Sequence, residues 1–146
     1  MKRLTTKSLL GVSLMICIPG LALAQGPKGC KHDMLKGQYV FTATGFARAA
    51  DGSWFPKAIV EYIEMKGDGT LSVPAATVAN RVNDGQVVQS PPGGVGAYTV
   101  HDDCTGTLQF TNGPSFNIFA APRGDEFWMI QTNPNNVLQG NVKRLW

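Results

Sequence analysis

From Gly37 onward the sequence is cut into short runs of alternating apolar and polar residues by glycine, proline, asparagine and aspartate. Side chains alternate faces along a strand, whereas a helix repeats about every 3.6 residues, so this pattern leaves little room for helices. "GQYVFTATGFARA" starts at Gly37 and puts Tyr39, Phe41 and Ala43 on one face, Thr42 and Thr44 on the other. "KAIVEYIEMK" follows the breakers Asp51-Gly52 and Pro56, and Gly67-Asp68-Gly69 predicts a hairpin turn. "TLSVPAATVANRV" contains Pro74, which predicts a bulge or an edge position. Beyond the turn at Asn83-Asp84-Gly85 come "QVVQS", a loop at Pro91 to Gly96, and then "AYTVHD", "TLQFTN", "SFNIFAAP", "EFWMIQTN" and "VLQGNVKRLW". A short helical turn fits around Cys30 to Leu35. The expectation is an all-β domain of eight or nine short strands. Periodicity does not separate sandwich from barrel, but a meander of tight hairpins favours a single antiparallel up-and-down barrel of about eight strands.

The segment ahead of this domain has a different character. Lys2, Arg3 and Lys7 precede a mostly apolar run from Leu9 to Leu23, and Ala22-Leu23-Ala24 offers the small-x-small pattern of a signal-peptidase site. The run is broken by Pro19 and Gly20 and is shorter than the roughly 20 residues a membrane anchor needs. The expected organisation is a signal peptide at 1–24 and a barrel domain at 25–146, periplasmic or secreted. Ile16 is the wrong size to make Cys17 a lipid-attachment site. No membrane insertion is expected after cleavage. The chain carries 13 basic and 10 acidic residues. Three of the basic ones leave with the signal, so the mature domain is formally neutral. With no Lys/Arg cluster left, no nucleic-acid partner is expected.

Two cysteines remain, Cys30 and Cys104. In an exported chain an even pair is most simply a disulfide. His32 and Asp33 lie beside one cysteine, and His101, Asp102 and Asp103 beside the other, so a metal site is conceivable there. Ordinary turn chemistry explains the same residues better, and the expectation is no metal and no cofactor. Arg123-Gly124-Asp125 matches an adhesion tripeptide but equally suits a hairpin turn.

"LKGQYVFTATGF" (35–46), "GAYTVHDDCTGT" (96–107) and "EFWMIQTNPNNVLQGNVKR" (126–144) resemble a group of small exported bacterial proteins. That group is related to the allene oxide cyclase-like branch of the calycin barrels. The resemblance implies a calycin-like barrel of eight strands with a central cavity. The wider branch includes cofactor-free cyclases that fold a reactive hydrophobic substrate inside the barrel. No catalytic residue of those enzymes maps onto a numbered position here.

Function therefore turns on what the interior contains. Glu61 and Glu64 lie three apart in one strand, so they face opposite ways. If Ile63 and Met65 point inward, Glu61 and Ile59 do too, and Glu64 faces solvent with Tyr62. A lone inward carboxylate would have its pKa raised and could act as a general acid or base. Alternatively Glu61 pairs with Arg48 or Arg81, or sits at a wet barrel mouth. Tyr39, Phe41, Tyr98, Phe110, Phe116 and Trp128 fall on plausible inward positions, lining an apolar ligand cavity or filling an ordinary core. Trp54 and Phe55 could cap a mouth. Three functions follow in order: a barrel binding a small apolar molecule, a cofactor-free isomerase or cyclase using Glu61 and a tyrosine, and a filled barrel acting through its surface as an inhibitor or envelope interaction protein.

Overall fold

Alternation carries the chain into ten antiparallel strands: β1 Gly37–Arg48, β2 Trp54–Met65, β3 Thr70–Val73, β4 Thr77–Asn80, β5 Val87–Ser90, β6 Gly94–Val100, β7 Thr105–Phe110, β8 Ser115–Ala120, β9 Glu126–Gln131 and β10 Asn136–Arg144. The computed structural model describes residues 29–81 and 84–146. The signal peptide expected at 1–24 lies outside the described residues. Eight strands close a ring in the order β1-β10-β9-β8-β7-β6-β3-β2, with β2 returning to β1 from Gly37–Met65 to Arg48–Trp54. This is the up-and-down barrel the hairpin meander predicts. Closure leaves the ring without a free edge.

Strands β4 and β5 stand outside the ring. One register runs unbroken from Thr70–Ala97 through Val73–Gly94 to Thr77–Ser90 and Asn80–Val87. β3 and β4 are thus two halves of one long strand, and β5 and β6 two halves of its partner. Pro74 to Ala76 interrupts the first and Pro91 to Gly93 the second. Against β2 the split strand slips: the step from Val60–Val78 to Glu64–Ser72 covers four positions on β2 and six on its partner. Two extra residues bulge where Pro74 predicts a bulge, and the β4–β5 hairpin is carried past the barrel mouth.

The inner face carries the core. Phe41, Ala43, Ile63, Met65, Leu108, Phe116, Ile118, Phe127, Met129, Leu138 and Val142 are all buried inside the ring. Strong curvature is needed to wrap eight strands this tightly, and Gly45 and Gly140 permit it on the β1–β10 ladder. A Cβ on Gly140 would overlap the Thr42 carbonyl oxygen and stand 2.9 Å from Ala43 Cα. A Cβ on Gly45 would do the same to Val137 and Leu138.

One end of the barrel is sealed. The expected helical turn is a 3₁₀ turn, His32–Leu35, which inserts fully buried Leu35 beneath the strands. Cys30 and Cys104 form the expected disulfide, with Cα atoms 5.0 Å apart, and it ties this turn to the β6–β7 connection 74 positions later. The Tyr39 hydroxyl donates to the Gly124 carbonyl at 2.5 Å and accepts from Arg144 Nη2 at 2.7 Å. Arg144 Nη2 also donates to the Met34 carbonyl at 2.6 Å. The Tyr98 hydroxyl donates to the His32 carbonyl at 3.1 Å and accepts from the Gly67 amide at 3.0 Å. No buried side-chain polar atom among the described residues lacks a partner. Polar groups committed in this way fasten a lid and are not free for a ligand.

Candidate ligand-binding site

The other end is open, and the strand split shapes it. A pocket of about 310 Å³ lies there, lined by Phe41, Ile59, Glu61, Val73, Phe110 and Pro114 and walled on one side by Thr77, Ser90, Pro91 and Gly94. Its floor is aromatic. Phe116 packs edge-on against Phe41, with ring centres 5.8 Å apart, and against Phe110 at 6.4 Å. Beyond Ile59 and Pro114 lies a more polar half of the mouth, about 360 Å³, bordered by Lys57, Asn112, Gln131, Asn133 and Asn136.

Glu61 sits on the inner face of β2, paired across the ladder with Phe41, and is partly buried. Glu64 points outward and pairs with Lys66 at 2.5 Å. Neither arginine reaches Glu61. Arg48 donates to its own loop at Gly52, and Arg81 pairs with Asp84 at 2.6 Å. The Thr77 hydroxyl is the group that donates to Glu61 Oε1. Desolvation by the surrounding apolar side chains pushes the Glu61 carboxyl above its ordinary value, and the Thr77 hydrogen bond offsets only part of that.

The turn aspartates behave in the opposite way. Asp51, Asp68, Asp84 and Asp103 each accept the amide two residues ahead, at 2.9–3.0 Å. These hydrogen bonds, joined by the hydroxyls of Thr70 and Thr105, hold their carboxyls below the ordinary range. They shape hairpins; Glu61 does not. Lys57, also on the inner face of β2, donates Nζ to the Asn80 carbonyl, and burial lowers its pKa.

The aromatic candidates are distributed unevenly. Phe41 and Phe110 line the pocket, and Phe116 supports both from below. Tyr39 and Tyr98 are inward and buried but belong to the sealed end, where burial raises the pKa of each phenol. Trp128 corrects the sequence reading: it points outward, 47% exposed, and tilts against Phe119 at 6.5 Å. Its neighbours Phe127 and Met129 occupy the inner face, opposite Ala120 and Ile118. Trp54 is likewise exposed, whereas Phe55 is partly buried opposite Ala47. The recess beside Glu61 lies at the barrel's open end, lined by the inward side chains of Phe41, Ile59, Val73 and Phe110.

The sequence places Ile59 inward beside Glu61, but it does not single out Val73, Thr77, Ser90, Pro91 and Pro114 as lining residues. The Pro74 bulge and the "PPGGVG" loop were the signals available, because together they open the wall beside Glu61. Larger depressions occur on the outside, up to about 680 Å³ across β3, β6 and β7, but that one is an open furrow over strand backbone and has no carboxylate in its lining. Among the described residues, no three His, Cys, Asp or Glu side chains are grouped to hold a metal ion. No described helix is long and apolar enough to cross a membrane.

Prediction: Glu61→Gln gains stability relative to the native chain as pH rises. The raised folded pKa means the folded state holds this proton more tightly than the unfolded one. That contribution is complete below the ordinary value of 4.5 and is lost as pH rises through the higher folded value. Glutamine never titrates, so the difference in urea midpoint, variant minus native, should climb as pH rises from about 4, the ordinary carboxylate range, through the higher folded value. A difference that stays flat would show that Glu61 is solvated like an ordinary surface carboxylate.

No family model matches this chain, and no curated protein matches it. Among solved structures, a de novo designed fluorescence-activating β-barrel is similar at 15% identity and a TM-score of 0.46, covering 80% of this chain and 99% of that one. At that level the match says nothing about what this chain binds.

Proposed function

We propose that this is an exported barrel that takes a small apolar molecule into the pocket at its open end. The observation that carries the reading is the contrast between the two ends. One is sealed by satisfied polar groups; the other keeps a mostly apolar recess of about 310 Å³ over an aromatic floor. That volume is at the small end of ligand sites, roughly 300–1,000 Å³. The resemblance of its quoted segments to the allene oxide cyclase-like barrels, whose wider branch holds hydrophobic substrates, supports a site for an apolar molecule. Export to the periplasm or medium is supported by the leader sequence and by a disulfide that suits an oxidising compartment.

Native mass spectrometry of protein purified from its own host tests the reading. The expected result is a non-covalent adduct that organic extraction removes and that Ile59→Trp, which fills the recess, does not carry. A bare polypeptide mass from every preparation would overturn it. The isomerase alternative is weakened by geometry, because the pocket lining contains no tyrosine or histidine to share a proton with Glu61. The surface-acting alternative draws on the outward side chains Phe119, Trp128 and Ile130, and a partner that survives Ile59→Trp but is lost on Trp128→Ser would favour it.

A further inference from the structure

We propose that the mouth pocket selects apolar molecules bearing a single protonated amine, with Glu61 as the counter-ion. This rests on the pocket being a ligand site and goes on to name the ligand's chemistry. The lining offers one ionisable group. Phe41, Ile59, Val73, Pro91, Phe110 and Pro114 supply apolar contact, and Thr77 and Ser90 supply hydroxyls. Glu61 is therefore a partly desolvated carboxylate with no cation beside it among the described residues. Arg48, Arg81 and Lys66 are held elsewhere by Gly52, Asp84 and Glu64. Lys57 shares the strand face, but its Cα lies four residues along, about 13 Å by strand rise, and its Nζ is occupied by the Asn80 carbonyl.

An acceptor-only carboxylate with one of its oxygens already taken by Thr77 has further lone pairs facing the recess. A neutral hydroxyl would give such a group one hydrogen bond. An ammonium gives a charge-assisted one, shorter and about twice as strong, and also restores the counter-charge that burial withheld. Phe41 and Phe110 line the same recess, and aromatic rings favour a cation over an anion where it can reach their faces. An anionic head group would meet Glu61 as a like charge, with no cation among the described residues lining the recess to intervene. The size of the recess restricts the apolar body to about one ring and a short chain.

The experiment compares three head groups on one skeleton: phenylpropylamine, phenylpropanol and phenylpropanoate, titrated calorimetrically at neutral pH and low salt. The amine is expected to bind about tenfold tighter than the alcohol, and the carboxylate weakest. Glu61→Gln should bring the amine to the level of the alcohol, while Glu64→Gln, on the outer face, leaves the gap intact. Equal affinity for amine and alcohol, or a gap that survives Glu61→Gln, would overturn the amine selectivity while leaving the apolar pocket standing. The ranking on the native chain decides the point even if Glu61→Gln folds poorly. Failure of all three probes to bind would instead remove the pocket reading itself.

Discussion

Replacing Cys30 and Cys104 together by alanine is expected to lower stability by on the order of 3–4 kcal/mol without touching the barrel wall. The bond closes a loop of 74 positions, so its main action is to restrict the unfolded chain. In the folded state it also clamps the 3₁₀ turn that carries Leu35 under the strands. Urea unfolding should show both consequences: a lower midpoint, and a steeper slope because the unfolded chain now expands. Binding at the opposite end should be retained in native buffer. A loss under about 1 kcal/mol would mean that Arg144 and the two tyrosines hold the lid unaided.

A second large effect is expected from adding one methyl group. Gly140→Ala puts a Cβ against the Thr42 carbonyl and 2.9 Å from Ala43 Cα, both backbone atoms of the neighbouring strand. A flexible side chain could move aside, but a paired strand cannot without breaking its ladder. The expected cost is about 3 kcal/mol, at the upper end of single substitutions. Gln139→Ala, next door on the exposed face, is the control and should stay within about 0.5 kcal/mol. If both variants melt alike, the barrel has slack at this seam and its curvature does not depend on glycine.

Architecture was legible because it is written in period and punctuation. The inner faces of β1 and of the second half of β2 follow from alternation, and Pro74 marks the bulge. The same arithmetic failed at Trp128. In "EFWMIQ" both faces carry large apolar residues, so hydrophobicity does not say which set is inward; the ladders to Ala120 and Val142 decide for Phe127. The site was harder still. Glu61 could be singled out as a carboxylate in an aliphatic run, but its neighbours Thr77 and Ser90 come from a hairpin displaced by a two-residue slip. No local pattern encodes a slip of that kind. The aromatic set left cavity wall and core filling undivided, because both use the same residue types. Only the arrangement of Phe41, Phe110 and Phe116 separates the wall from the packing beneath it.

The hairpin beyond the ring has an implication for how such a chain can vary. None of the eight closing ladders uses β4 or β5, yet the pair contributes Thr77 and Ser90 to the recess. Lengthening its tip costs little, since closure entropy grows only with the logarithm of length. Selectivity is thus housed on an appendage that can be rewritten while the cylinder stays as it is.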